Sequence, residues 1–468
     1  MVFSTFSFLF CFLPITILLY YMIQNRTWRN LILLATSLLF YAWGEPRYLV
    51  VLFGVSLVAY FSGLAMAFCE KRELYRWKKL ILFCTVALLT ANLFCFKYLN
   101  FTIQNINQLL HTSIPLSQLT LPLGISFFTF QIISYIVDLS HNRISAQRNF
   151  ANLLLYVSLF PQLVAGPIVR YQTIADEILH RTESVQEIAA GLRRFIAGLA
   201  KKVLLADSLG AISQNIYDMG LEICGSGLYW VAALAFMLQI YFDFSGYSDM
   251  AIGLGRMFGF HFQENFDHPY LACSVTEFWR RWHISLSTWF RDYVYIPLGG
   301  NRTSKPRWFF NFIFVWVLTG FWHGAAWNFL LWGLYYAVIL LVERLFLHNW
   351  LCRRPKTVGW CYTFFIVLIG WVLFYASSLD EAVEHLWGMF AFVPWDFSKM
   401  VAINVSPLLA VYILPLSLLS ILPWHRCIAP SQKPSHIWLM NLAFLGLFLI
   451  CVIKIAGSSY SPFLYFRF

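Results

Sequence analysis

Charge is scarce in this 468-residue chain: Asp, Glu, Lys and Arg make up 12% of it, against 60% hydrophobic and 19% aromatic residues. Average soluble proteins carry about 25% charged residues, so a water-facing globular fold is excluded and a polytopic membrane protein is expected. No stretch is polar enough to form a soluble domain of useful size, and no internal repeat stands out. A single membrane domain over residues 1–468 is the economical reading. The net charge of +11 consequently has no basic soluble module to reside in. Lys/Arg-rich cytoplasmic loops account for it, and no nucleic-acid partner is expected. The ten cysteines, among them Cys11, Cys84, Cys95, Cys361 and Cys451, form no CxxC or CxxH pair. That spacing argues against disulfides and metal ligation and for small buried apolar residues. A basic n-region and a small-residue cleavage site are also missing before the first apolar run ends near Met22, so that run reads as a retained span.

What is present is a series of apolar runs near the length that crosses a bilayer, separated by basic loops that mark the cytoplasmic side. The first basic loop, Arg26 to Arg29, puts the N-terminus outside; a second holds Lys71, Arg72, Arg76, Lys78 and Lys79. A span over Leu80 to Lys97 leads to an outer stretch, Tyr98 to Ser117, without Lys or Arg, and Leu121 to Val137 returns to His141, Arg143 and Arg148. Phe150 to Val169 is apolar but interrupted by Pro161, Gly166 and Pro167, with basic residues beyond both ends (Arg170, Arg193, Arg194, Lys201, Lys202). A re-entrant hairpin is expected there, in a place where protein or a cavity surrounds the backbone. Two spans or half-spans between Leu228 and Phe260 lead to the basic region Glu277 to Arg307, and the pair Phe309–Phe321 and Trp327–Phe346 returns to Arg353, Arg354 and Lys356. Three further runs, Trp360–Tyr375, Ala402–Leu422 and Ile437–Ile455, place the C-terminal tail outside, and Leu379 to Phe390 reads as an amphipathic interfacial helix. The expected fold is all-α, with about 10 to 12 transmembrane helices plus re-entrant and amphipathic segments around a tunnel.

Two histidines stand out in this apolar setting. An ionisable group at membrane depth costs about 2.5–3.5 kcal/mol on insertion scales and marks a pathway or a reaction centre. His283 follows Trp279-Arg280-Arg281-Trp282; in a helix Trp279 and His283 would share a face at i,i+4, and Glu277 would pair with Arg281. The two tryptophans and the following Ser285, Ser287 and Thr288 suggest a walled polar pocket, although an interfacial helix with headgroup-level aromatics also fits. His323 follows a strongly apolar segment and precedes Gly324-Ala325-Ala326, small residues that permit close approach to its ring. Neutral imidazole is the usual general base, and a satisfied core histidine is the alternative. Trp322 and Asn328 flank it, Asn328 as a candidate to orient the ring or hold a carbonyl. In Tyr241 to Asp249 two carboxylates and several hydroxyls share an apolar neighbourhood. A helix break with Asp249 capping the next helix is one reading; Asp243, with fewer local donors, is a candidate substrate contact. Neither histidine has metal-ligand spacing to these acids, and no metal is expected.

Four segments in order, Phe160-Pro161-Gln162-Leu163-Val164-Ala165-Gly166-Pro167, Asp243-Phe244-Ser245-Gly246-Tyr247-Ser248-Asp249, Glu277-Phe278-Trp279-Arg280-Arg281-Trp282-His283 and Trp322-His323-Gly324, resemble the membrane-bound O-acyltransferase (MBOAT) family, most of all its alginate O-acetylation branch. The likeness runs from Val2-Phe3-Ser4 to the end of the chain. It implies that His323 matches the catalytic histidine and His283 a second conserved polar position on the cytoplasmic side of a tunnel. Trp279, Trp282 and Trp322, with Asn328 and Asp243, become the candidate substrate contacts. The tail Phe463-Leu464-Tyr465-Phe466-Arg467-Phe468 fits F-x-Y-x-x-F, similar to the C-terminal motif of a small membrane partner in teichoic-acid D-alanylation whose tyrosine is implicated as an acyl carrier. An aromatic belt anchoring the last helix is the plainer reading of Tyr465. The resemblance further implies a bacterial inner-membrane acetyltransferase with no bound cofactor, acetyl-CoA as donor, membrane lipid around it, and a polysaccharide such as alginate or peptidoglycan reached through a secreted acyltransferase partner. A polysaccharide or lipid transporter is the rival reading; inverted repeats with paired broken helices would favour it, and none is evident.

Overall fold

In a computed structural model of the chain, residues 2–394, 407–422, 434–457 and 463–464 are described, and among them there are helices and no strand. Six helices among the described residues are long and apolar enough to cross a membrane: Pro46–Lys71, Tyr75–Lys97, Leu221–Met257, Trp327–Cys352, Lys356–Tyr375 and Ser435–Gly457. Ser7–Met22 and Ile125–Ser140 are shorter apolar helices. The chain is a multi-pass membrane protein. It gathers into two compact units, Met1–Phe195 with Ser248–Gln263, and Ile196–Tyr247 with Glu264–Phe468.

In the first unit, Phe150 to Val169 is broken as expected. Helix Phe150–Ser158 stops at Leu159, one turn follows over Phe160–Leu163, and the backbone then runs irregularly through Gly166 and Pro167 with residues 153–169 buried throughout. Side chains meet the freed polar groups. Ser37 Oγ accepts the Phe160 N–H at 3.1 Å, Gln162 Nε2 donates to the Tyr156 carbonyl at 2.6 Å, and the Tyr156 hydroxyl donates to the Val169 carbonyl at 3.0 Å. Such matching is the condition for non-helical backbone away from water. Lys78, assigned above to a solvated basic loop, is instead buried at 6% exposure and spans Glu70 and Asn142 at 2.6 Å each.

Two expectations about Tyr241–Asp249 fail. The helix Leu221–Met257 is interrupted only at Gly225 (φ 69°, a conformation glycine tolerates), so the motif lies within continuous helix and Asp249 caps nothing. Its carboxylate instead takes the Arg194 guanidinium, with N–O distances of 2.9 and 3.0 Å. The partner expected within Leu228–Phe260 is also absent. Arg194 looked like a loop cation because its carboxylate partner is 55 residues away in sequence.

In the second unit the helices Lys305–His323 and Trp327–Val342 pack through two glycines. A Cβ on Gly320 would lie 2.2 Å from the Phe329 carbonyl, and one on Gly333 2.5 Å from that of Trp316. Small residues of this kind let helix backbones touch where lipid supplies no hydrophobic drive. The contact fixes His323, the last residue of its helix. Leu379–Phe390 is a helix as expected, capped by Ser378 and burying Ala382, His385 and Met389.

Glu183 collects the charges of the first unit. Its carboxylate binds Arg26, Arg29 (2.9 Å) and the Tyr20 hydroxyl, and Arg181, with a fully buried side chain, lies 3.7 Å away. Removing one member of a buried pair leaves an uncompensated charge, which costs about 3–5 kcal/mol. Glu183→Ala is expected to lower the thermal unfolding temperature in detergent sharply, and Glu183→Gln less. An unchanged melt would show that the arginines find water.

Candidate active site

The helix bearing Trp279 is built on two caps. Ser274 Oγ accepts the Glu277 N–H at 3.0 Å, and the buried Glu343 carboxylate accepts the N–H groups of Val275 (2.8 Å) and Thr276 (2.9 Å). A carboxylate at a helix N-terminus satisfies orphan donors and meets the positive end of the dipole. Glu277 pairs with Arg281 at 2.6 Å, as the spacing predicts. The helix ends at Arg281, however. Trp282 is extended and His283 is left-handed (φ 45°, ψ 55°), so Trp279 and His283 do not share a helical face.

The turn gives His283 a defined protonation state. Asn265 is fully buried, and its Oδ1 accepts the Ser285 N–H at 3.2 Å and the Ser285 hydroxyl at 2.8 Å. A backbone N–H can only donate, so this atom is the amide oxygen. The His283 Nδ1, 3.1 Å from the same atom, must then carry the proton. Nε2 is left with its lone pair and has no hydrogen-bond partner among the described residues. Burial holds the pKa down to about 3, so the ring is neutral at physiological pH.

His323, 5% exposed, sits among aromatic edges, with ring centroids 5.1 Å from Trp332 and 5.1 Å from Phe374. The small residue after it makes room for a side chain: a Cβ on Gly324 would meet the Phe329 ring at 2.3 Å. Trp322 stands between the histidines, 5.9 Å from His283 and 4.8 Å from His323. Both histidines line one cavity of about 250 Å³. Trp279, Trp282, Trp316 and Ser287 also line it, and the Trp279 indole N–H is buried without a partner among the described residues. The remaining polar lining is of another kind: Arg291, Arg344 and Asn301 are exposed. The Asn301 Oδ1 accepts from the Tyr295 hydroxyl at 2.8 Å and from Arg344 at 3.3 Å. Cations therefore mark the open end, and the two histidines the buried end.

The other candidates lie off the cavity lining. Asn328 donates to the Ala376 carbonyl at 2.6 Å, and Asp243 is engaged by Lys202 and the Leu464 N–H. Tyr465 lies outside the described residues. Sequence reasoning missed Asn265, Glu343 and the arginines of the open end; no local signal in the chain marks the first two. Among the described residues no group of three or more His, Cys, Asp or Glu side chains could hold a metal ion.

A multi-pass helical membrane protein with two buried histidines in an aromatic-walled, cation-mouthed cavity has the makings of a membrane transferase. The chain belongs to the membrane-bound O-acyltransferase (MBOAT) family, matched over residues 70–379, and it is an O-acyltransferase. It is 38% identical to the probable alginate O-acetylase AlgI of Pseudomonas putida over the whole of both chains. It is 36% identical to a peptidoglycan O-acetyltransferase of Helicobacter pylori, over 83% of this chain and 80% of that one. A teichoic acid D-alanyltransferase of Bacillus subtilis is 31% identical over 54% of this chain and 68% of its own.

The neutral His283 makes a pH prediction. A buried histidine with a lowered pKa contributes stability that is present above the unfolded value near 6.5 and is lost as pH falls from there toward about 3. One proton taken up only by the unfolded chain amounts to about 1.4 kcal/mol at one pH unit below 6.5. His283→Gln keeps a donor for Asn265 and is expected to flatten the fall in melting temperature between pH 6.5 and 5.5. Identical slopes in both proteins would mean that His283 titrates freely.

Proposed function

We propose that this O-acyltransferase moves acetyl from a cytoplasmic thioester, acetyl-CoA, across the bacterial inner membrane for O-acetylation of an extracytoplasmic polysaccharide. The observation that carries the reading is one cavity holding two buried histidines and an arginine-flanked mouth. Arg291 and Arg344 suit the phosphates of a CoA-type donor. The relatives named for alginate and peptidoglycan acetylation supply the acetyl group and the acceptor class.

His323 is the base in this scheme. His283 holds its proton on the Nδ1 side, so its Nε2 is an acceptor that orients a hydrogen-bond donor of the bound substrate other than the attacking hydroxyl. Trp279 and Trp282 wall the thioester, with the Trp279 indole N–H as a donor to it; Trp322 and Asn328 fix the histidine and the loop after it. A sugar hydroxyl outside and a thioester inside do not meet, and Tyr465 is the carrier. Its phenol oxygen attacks the thioester carbonyl while its proton passes to His323; the C–S bond breaks and the thiolate takes the proton. The sugar hydroxyl, through the secreted partner, then displaces the phenol, whose ester is a better acyl donor than an alkyl ester. A phenol with pKa near 10 needs such a base to act at neutral pH.

In proteoliposomes with radiolabelled acetyl-CoA, His323→Ala is expected to lower transfer by about 10²–10⁴-fold, the range of a lost general base, with insertion and folding unchanged. Tyr465→Phe should abolish transfer while keeping the aromatic anchor, and intact mass should find one acetyl on Tyr465 of the trapped wild type. Near-normal transfer in either variant removes that residue from the scheme.

Both termini face the outside in this reading. Cysteines placed at Lys79 and Arg354 should react only from the cytoplasmic side, and one at Ser459, outside the described residues, only from the outer side. Labelling of Ser459→Cys from the cytoplasm alone would overturn the orientation and the relay with it.

A further inference from the structure

The Asp243 carboxylate, on an almost wholly buried residue, is occupied on both sides. Oδ1 lies 2.8 Å from Lys202 Nζ, and Oδ2 accepts the backbone N–H of Leu464 at 2.7 Å. Lys202 is itself shared with Asp207 at 2.7 Å. A main-chain N–H gives no choice of side chain; what such a bond specifies is where the backbone runs. The tail it holds is buried, with Phe463 at 1% and Leu464 at 6% exposure. The Phe463 ring lies 4.9 Å from Tyr247 and 6.0 Å from Phe244, and Phe244 is edge-on to His283 at 4.6 Å. One aromatic ring therefore separates the tail from His283. Gly246 allows the arrangement, because a Cβ there would meet the Gly198 carbonyl at 2.7 Å and keep the Lys202 segment away from Asp243.

We propose that Asp243 is a positioning residue that latches the chain at Phe463–Leu464 into the core beside His283 through the Leu464 N–H, with Lys202 holding the carboxylate in place. Asp243 thus acts on the reaction through the tail rather than by touching substrate. The consequence for transfer rests on the reading of Tyr465 as carrier: that residue follows Leu464 directly, so its Cα begins about 3.8 Å from an anchored one. The latch itself does not depend on that reading.

Hydrogen–deuterium exchange of the purified full-length protein, read by mass spectrometry on the peptide ending at Phe468, tests the latch without any donor. Asp243→Ala is expected to speed exchange of that peptide at least tenfold while the helix Lys305–His323 exchanges as in the wild type. Leu464→Pro removes the N–H and leaves the Asp243–Lys202 pair intact; it should free the tail equally. Asp243→Asn keeps an oxygen acceptor and should give partial protection. Transfer in Asp243→Ala should fall at least tenfold in kcat with the KM for acetyl-CoA unchanged. Unaltered tail exchange in Leu464→Pro overturns the proposal even if Asp243→Ala misfolds. A raised donor KM with normal tail exchange would make Asp243 a substrate contact instead. Lost transfer in Tyr465→Phe together with a protected tail keeps the latch, whereas a freed tail with full transfer discards the carrier and not the latch.

Discussion

A lipid bilayer offers no water to a carbonyl, an amide or a charge, so every polar group carried into it must find its partner within the protein. This chain is 60% hydrophobic, and the few charges it takes inside are matched closely. Glu183 gathers two arginines and a tyrosine, Asp249 takes Arg194, Lys202 sits among carboxylates, and Glu343 receives two backbone amides. Apart from the Lys202–Asp207 pair, each match joins segments distant in sequence. In an apolar environment such pairs specify which helix meets which far more than a further leucine could, because lipid is as good a neighbour as any apolar side chain.

The same rule sets the chemistry. His283 is neutral because burial has taken the water from its charged form. Asn265 then decides which nitrogen holds the proton, and it is itself fixed by Ser285. Trp279, Trp282, Trp316, Phe290 and Phe312 wall the cavity that holds both histidines. The cations lie at its exposed end, where their own hydration is least disturbed.

What was legible in the sequence was local in character. Apolar run lengths revealed a helical membrane protein, the proline and glycine pattern of Phe160 to Pro167 revealed broken backbone, and the isolation of His283 and His323 drew attention to residues that share one cavity. Ser285, Ser287 and the paired tryptophans suggested a walled pocket; Trp279, Trp282 and Ser287 line it. Long-range partnership was not legible. Asp249 looked like a cap because caps are the nearest local use for an aspartate, and Arg194 was 55 residues away. Lys78, Arg194 and Lys202 counted as loop cations because the helices that bring Glu70, Asp249 and Asp243 to them cannot be read from the basic runs in which they lie. The left-handed turn at His283 was hidden because no glycine announces it, and tertiary bonds to Asn265 hold it. Glu343 lies 68 residues from the amide it caps, beyond the reach of any spacing rule.

The segment Asp243 to Asp249 shows how one short motif can serve several partners within the protein. Helical geometry places successive residues about 100° apart and returns to the same face after three or four. Asp243 meets a lysine and the chain's own tail, Phe244 meets His283 and Phe463, Gly246 lets a neighbouring backbone come close, Tyr247 packs on Phe463, and Asp249 takes an arginine. A carboxylate is the apt group for the first of these tasks. It accepts from a main-chain N–H and an ammonium at once, where an amide oxygen would leave the lysine uncompensated and an alanine would leave both donors bare. The requirement to satisfy polar groups in an apolar core thereby becomes the means by which Phe463 and Leu464 are given a fixed address.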